Sequence, residues 1–574
     1  CYTVFEGDTI EPFTFEVKGV MPHFLGPRKD LILVRLTSPK AEFTGVVAGM
    51  SGSPCSIDGK VIGALSYAFA SFAKEAIAGI TPIDSMLEVL NLPDEARPWR
   101  LAAAPPGAGS ATATTAGLQP ATEADWDALR QGRVQSTAAD AAATVQLDEG
   151  VAGKLQPIAT PLTLGGVPPE TAEQFMPWLR QAGFAPVVGG AGSSDGKVAQ
   201  RLRPGGSVSG VLIQGDMDVA GTGTVSWVDG DRVLAFGHPF FGVGPVSIPM
   251  ANAFIINTMA SAKRSFKMST TGAIVGEITQ DRLTAIGGQM GRHPKRVEVK
   301  GGIRTLRGQM PFAMSVARDQ GMTPRLLAMG ISGALAGRAD AGQRGMIRVD
   351  SVLRVAGQPP VQLHNLYAAE RDQGLFGSVG IDVARAFAAL WDTPFGPPPD
   401  IGVEVNAAFA PEPITETIEA IYTDRAQAEV GAPLEVAVRL RRQGAPVEIA
   451  RFAMDIPRSW AGHKVALVAT GAGGAQRLER EINGVPRPQA FGQIVRYLQG
   501  IRPEGQVYLF AIRTGVGLHA ATEAYSFVPP SSVALLSGDP SKESRNQGIA
   551  WEDRKARPGV VEGLARTAVR VRSF

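Results

Sequence analysis

The residues best suited to chemistry lie in the stretch Gly49-Met50-Ser51-Gly52-Ser53-Pro54. A nucleophilic serine needs an Oγ open to substrate, a base within reach, and backbone N–H groups aimed at the developing oxyanion. Small neighbours let the chain turn sharply and let a substrate carbonyl approach. Ser51 is therefore the candidate nucleophile, ahead of Ser53, with the amides of Gly49 and Ser51 as the oxyanion hole. Taken alone, the hexapeptide reads equally well as a glycine-rich β-turn without chemistry. Context excludes the G-x-S-x-G elbow of α/β-hydrolases. Ser53 replaces the last glycine, and Pro54 to Gly59 leads into a hairpin where that elbow requires a helix.

The base must come from six histidines: His23, His238, His293, His364, His463 and His519. A lone histidine is usually structural. His238 stands apart because it closes a strand, "DRVLAFGHPFFG", between Gly237 and Pro239, and strand ends are where functional groups are presented. Asp281 and Asp30 are the candidate acids behind it, and a Ser-His pair without an acid is the alternative. No HExxH, Cys/His cluster, EF-hand loop or Walker A sequence occurs, so no metal or cofactor is expected. The glycine runs at 189–196 and 471–474 lack the strand-to-helix context of a phosphate loop and read as turns.

The elements that must carry these residues are short and strand-like. "FTFEVKGV", "DLILVRL", "FTGVVAG" and "KVIGALSYAF" alternate over the first hundred residues, with a tight turn expected at Asp58-Gly59. Alternation returns in "SVSGVLIQGDMDVAGTGTVSWVDGDRVLAF" and continues to about residue 365. The chain therefore reads as mostly β.

"GVVAGMSGSPCSIDGKVIGALSYAF…AGITPIDSML" resembles the serine segment of the SpoIVB peptidase family, whose members carry GMSGSP, a short turn, and a strand with IGA. The same segment is similar in outline to the serine region of chymotrypsin-like peptidases, where G-x-S-G-x-P precedes a hairpin. The resemblance thus implies a two-barrel β fold. "GTGTVSWVDGDRVLAFGH" resembles the family's histidine segment, which makes His238 the implied base, and "GEITQDRLTAIGG" a further strand pair of the same unit. Two departures stand out. The family places its histidine before its serine, so the order here is circularly permuted, which a triad tolerates because it is defined by geometry. The family's acid lies in a TDP element, and the matching Leu36-Thr37-Ser38-Pro39 carries Ser38 instead.

At 574 residues the chain exceeds a single core. The expected organisation is a serine-bearing β unit over 1–97, a linker and unassigned segment over 98–206, and a histidine-bearing β unit over 207–392. A β-sandwich-like accessory domain over 405–530 and a polar tail over 531–574 complete it. Fifty-six basic and 54 acidic residues leave a net charge of +2, too weak a field to gather nucleic acid or anionic lipid. No apolar run is long enough for a transmembrane segment. Two cysteines, Cys1 and Cys55, give no disulfide framework. The expected function is an exported serine endopeptidase of the cell envelope acting on a protein or peptide substrate, or on itself. The alternative is a peptidase-fold scaffold without turnover, which Ser38 favours.

Overall fold

The computed structural model describes residues 1–69, 75–93, 123–130, 155–189, 201–261, 264–339, 344–369, 374–484, 486–520, 523–529, 531 and 542–572. The expected linker at 98–122 and most of the 189–196 glycine run lie outside them. The fold is mostly β, with curled, barrel-type sheets. The chain divides into two compact units, one formed by Cys1–Val299, Phe312–Gly337 and Gly380–Arg385, the other by the remainder.

In the first unit two short strands, β1 (Tyr2–Val4) and β2 (Ile10–Pro12), pair at the start of the chain. A curled antiparallel sheet follows, built from β3 (Phe15–Gly26), β4 (Lys29–Leu36), β5 (Pro54–Ile57), β6 (Lys60–Phe69) and β7 (Ile77–Pro82) in the order 3-4-7-6-5. The β5–β6 turn is the one the sequence announces. Asp58 and Gly59 both take left-handed φ values, 51° and 77°, as a two-residue hairpin turn requires. Val34, Leu36, Leu65, Ala78 and Ile80 form its core together with Met50 and Cys55.

After β8 (Leu155–Pro157), β9 (Thr160–Gly165) and β10 (Phe184–Val188) come six strands that close on themselves. They are β11 (Ser207–Gly215), β12 (Asp218–Asp229), β13 (Arg232–Ala235), β14 (Gly244–Met259), β15 (Phe266–Arg282) and β16 (Ala285–Met290). Antiparallel pairings run 11-12-13-16-15-14 and return from β14 to β11, making a six-stranded barrel without a free edge. The "GTGT" of β12 follows from what each face meets. A Cβ on Gly221 would come within 2.5 Å of the Phe240 ring, and one on Gly223 within 2.7 Å of the Phe236 ring. Thr222 and Thr224, on the opposite face, bond other hydroxyls: Thr222 meets Ser209 at 2.9 Å and Ser269 at 2.7 Å.

The second unit contains a β-sandwich. Thr415–Thr423, Pro433–Arg442 and Glu448–Asp455 form one sheet, which Val560–Glu562 extends. Lys464–Thr470, Gln506–Ala520, Lys542–Ala556 and Leu564–Val571 form the other, and Val436, Phe452, Leu467 and Leu509 share the core between them. Two expectations change here. Residues 542–571, read as a polar tail, supply three strands. The long strand Lys542–Ala556 takes its hydrogen bonds from Gln506–Ala520, and its described residues Asn546, Gln547, Glu552, Asp553, Arg554 and Lys555 are exposed, so its order does not depend on apolar content. The 471–474 run does join a strand to a helix: Gly471 caps the helix Ala472–Asn483, and residues 472–474 form its first turn. Two of its glycines answer to packing, since a Cβ on Gly471 would lie 1.9 Å from the Val561 carbonyl and one on Gly474 1.8 Å from Thr470 Oγ1.

Cys1 and Cys55 are joined by a disulfide, a correction to the sequence reading. Spacing alone gave two cysteines 54 residues apart, and only folding brings the first strand beside β5.

Candidate active site

The loop between α1 (Pro39–Thr44) and β5 carries Ser51. Gly49 and Gly52 take left-handed φ values of 98° and 93°, which is why glycine flanks the serine on either side. The turn bonds its amides selectively. Met50 N–H donates to the Val47 carbonyl (2.9 Å), Gly52 N–H to Leu65 (2.7 Å) and Ser53 N–H to Met50 (3.0 Å). The amides of Gly49 and Ser51 donate to nothing among the described residues. Ser51 Oγ is buried without a partner among the described residues, whereas Ser53 Oγ is committed to the Met50 carbonyl at 2.6 Å.

Thr224 of β12 holds this loop at two points. Its N–H donates to the Ser51 carbonyl at 2.8 Å, and its Oγ1 donates to the Gly49 carbonyl at 3.0 Å. Gly52 packs so closely on the barrel that a Cβ would sit 2.0 Å from the Thr224 carbonyl and 2.5 Å from the Phe236 nitrogen. The serine and histidine segments, far apart in the chain, are thus in backbone contact two residues before His238.

His238 follows Phe236 and Gly237, both left-handed at 68° and 67°. A phenylalanine there is strained by on the order of 1–3 kcal/mol, which burial of its ring against Gly223 offsets. Thr81 Oγ1 donates to the Gly237 carbonyl at 2.7 Å and so ties the turn to β7. His238 is almost fully buried, and burial lowers its pKa to about 4 against the opposing pull of the Pro239 and Ile158 backbone. Its Nδ1 lies 2.7 Å from the Pro239 carbonyl, an acceptor only, so Nδ1 carries the proton. Nε2 makes no hydrogen bond among the described residues. In this structure, then, Ser51 Oγ and His238 Nε2 are both unengaged and are not hydrogen-bonded to each other.

Neither candidate acid bonds to His238. Asp281 accepts the amides of Phe240, Phe241 and Gly242 at 2.7, 2.6 and 2.8 Å, which fixes the loop after the histidine. Burial pushes its pKa up to about 6 despite these bonds. Asp30, at the start of β4, accepts the His23 amide at 2.9 Å. Ser38 Oγ, at the start of α1, is buried without a partner among the described residues.

Sequence reasoning missed Thr224, Thr3 and Lys267. Lys267, on β15, is fully buried, and its stem lies 3.1 to 3.3 Å from the position of a Cβ on Gly49. Its Nζ donates to Thr3 Oγ1 at 2.8 Å, and Thr3 meets Thr224 Oγ1 at 3.3 Å. Burial lowers the Lys267 pKa to about 7. A charged residue within an alternating strand was the one available signal. Among the described residues no cluster of His, Cys, Asp and Glu is fit to hold a metal ion, and no helix is long and apolar enough to cross a membrane.

A glycine-flanked serine loop thus rests on a closed β barrel that carries a buried histidine. Residues 1–87 match the family described as SpoIVB peptidase S55, and the match supports membership of that peptidase family. The matched residues hold the serine loop and its hairpin; His238 lies beyond them. No curated protein and no solved structure matches the chain.

Proposed function

We propose that the protein is a serine endopeptidase of the SpoIVB type in which Ser51 attacks a peptide carbonyl of a protein substrate. The observation that carries this reading is the pattern of amides in the turn: every N–H from Met50 to Ser53 is bonded except that of Ser51, and Gly49 N–H is free beside it among the described residues. Two unpaired donors flanking an unpaired hydroxyl suit an oxyanion that forms only during reaction. The Ser51 proton passes to His238 Nε2 as Oγ bonds the carbonyl carbon, and Nε2 returns it to the departing amine. Water then releases the acyl group by the same route. The Pro239 carbonyl fixes the reactive tautomer, the part of an acid's role whose loss costs most. Asp281 acts at one remove, as a positioning residue for the histidine loop.

The Cys1–Cys55 bridge supports an oxidising, extracytoplasmic compartment such as the cell envelope. The second reading is a scaffold without turnover, favoured by Ser38 in place of an acid and by the lack of a carboxylate on His238 among the described residues. A fluorophosphonate probe separates the two. Labelling of the wild type that disappears in Ser51→Ala and falls at least a hundred-fold in rate in His238→Ala is expected. Labelling that persists in Ser51→Ala refutes the nucleophile, and a wild type inert to the probe favours the scaffold.

A further inference from the structure

The segment entering β9 lies where a peptide would bind. β5 covers only the first part of one β6 edge, from Ile57 opposite Lys60 to Pro54 opposite Ala64. β7 holds the other edge, from Gly63 to Ala68. On the first edge the serine loop comes next, with Gly52 N–H on the Leu65 carbonyl at 2.7 Å and Leu65 N–H on the Ser53 carbonyl at 2.9 Å. Ile158 follows, its N–H donating to the Ser66 carbonyl at 2.8 Å. β8 continues outward, antiparallel, with Pro157 opposite Tyr67, Gln156 opposite Ala68 and Leu155 opposite Phe69.

This register points the chain from Leu155 towards the serine loop. The peptide after Ile158 therefore leaves the strand at the end where Ser51 sits, and the Ile158 backbone also contacts the His238 ring. The Ile158 side chain is buried in the apolar cluster that holds Met50 and Leu65, the residues on either side of the loop contact. An extended segment held by main-chain pairing with one side chain in an apolar pocket is the β-addition mode of peptide recognition. It also accounts for a Ser51 that is wholly buried.

We propose that residues 155–158 occupy the groove for an extended polypeptide substrate, blocking it from within the chain and marking it as selective for an apolar residue immediately before the scissile bond. The proposal rests on the peptidase reading of Ser51 and His238. A substrate in trans must displace Leu-Gln-Pro-Ile, so its apparent affinity is reduced by the fraction of molecules with the groove open.

The test uses the full chain carrying Ser51→Ala, so that binding is read without turnover. Fluorescence anisotropy follows a labelled acetyl-Leu-Gln-Pro-Ile peptide, and the same peptide ending in Asp, on this protein and on its Ile158→Asp derivative. The Ile158→Asp protein is expected to bind the Ile peptide at least ten-fold tighter than its parent does, and the Asp peptide at least ten-fold more weakly than the Ile peptide. Equal affinities in either comparison, or no binding to the Ile158→Asp protein, overturn the proposal. If Ile158→Asp loses its near-ultraviolet circular dichroism, Gln156→Pro, which removes an amide from the docked strand, replaces it under the same outcomes. Fluorophosphonate labelling with Ser51 intact is read separately. Labelling without peptide binding refutes the groove and spares the peptidase, and peptide binding with no labelling of Ile158→Asp refutes the peptidase and spares the groove.

Discussion

Thr224 clasps the tripeptide around Ser51, its N–H on the Ser51 carbonyl at 2.8 Å and its hydroxyl on the Gly49 carbonyl at 3.0 Å. One barrel residue thereby fixes the peptide groups that follow Gly49 and Ser51, whose N–H groups, those of Met50 and Gly52, are bonded to the Val47 and Leu65 carbonyls. The peptide groups that carry the free N–H groups are held through their own carbonyls, Ala48 accepting from the Lys267 N–H at 3.0 Å and Met50 from the Ser53 N–H at 3.0 Å. With Thr224 clamping the intervening groups, both amides are set in the absence of substrate, the preorganisation that makes an oxyanion hole effective.

Thr224→Val keeps the shape and the amide but removes the hydroxyl. It leaves the buried Gly49 carbonyl without that donor, at a cost of about 1–3 kcal/mol in stability. Fluorophosphonate labelling of Ser51 is expected to slow by at least ten-fold. Urea denaturation and labelling rates, measured together, check the pair. A labelling rate that matches wild type would remove Thr224 from the positioning of the loop.

His238 and Asp281 oppose one another in their pH dependence. The pKa of His238 is lowered from 6.5 to about 4 by burial, so the stability tied to its neutral ring grows as pH rises from about 4 to 6.5. The pKa of Asp281 is raised from 3.8 to about 6, again by burial, so its contribution is complete below 3.8 and is lost as pH rises through about 6. A tenfold change in a proton equilibrium corresponds to about 1.4 kcal/mol, so each group contributes on the order of 3 kcal/mol, and the two offset. Asp281→Asn should therefore uncover a rise of stability between pH 4 and 6, and His238→Ala should uncover a fall. Parallel profiles for the variants and wild type in urea titrations would contradict both assignments.

Lys267 places a cationic group in a buried site against Gly49. Its pKa, lowered by burial from 10.5 to about 7, lies below the unfolded value, so stability from this group increases as pH rises from about 7 to 10.5. Lys267→Met is expected to flatten that rise and to be more stable than wild type at pH 6, by on the order of 1–4 kcal/mol, as apolar replacements of buried charges often are. The Thr3 hydroxyl loses its lysine contact, and labelling of Ser51 should slow several-fold. Melting curves at pH 6 and pH 9 provide the check; a variant less stable than wild type at pH 6 would show that the ammonium contributes more than its burial costs.

The Cys1–Cys55 bridge anchors β1, and with it Thr3, beside the serine loop. Cys55→Ser should lower stability by about 2–5 kcal/mol, the usual range for losing a native disulfide. Thr3 then loosens and the labelling rate falls. Mass spectrometry before and after alkylation confirms the bridge in the wild type, and free thiols in the native protein would rule it out.

Local physics was legible from the residues alone. Asp58-Gly59 announced its hairpin, the alternating runs announced strands, and glycines around Ser51 announced a sharp turn, because each depends on φ preferences or period-two patterning within a few residues. The same reasoning nominated His238 from its place at the end of a strand. Contacts between segments distant in sequence were decided only by the tertiary structure. The barrel closure of β11 to β16, Thr224 on the serine loop, the Cys1–Cys55 bridge, Asp281 on the amides after His238 and Ile158 on the edge of β6 each join such segments. Asp281 shows the reason most plainly. Its sequence neighbours mark an acid near a turn, but whether that acid orients a histidine or holds a loop depends on which backbone amides the barrel brings within hydrogen-bonding distance of its oxygens.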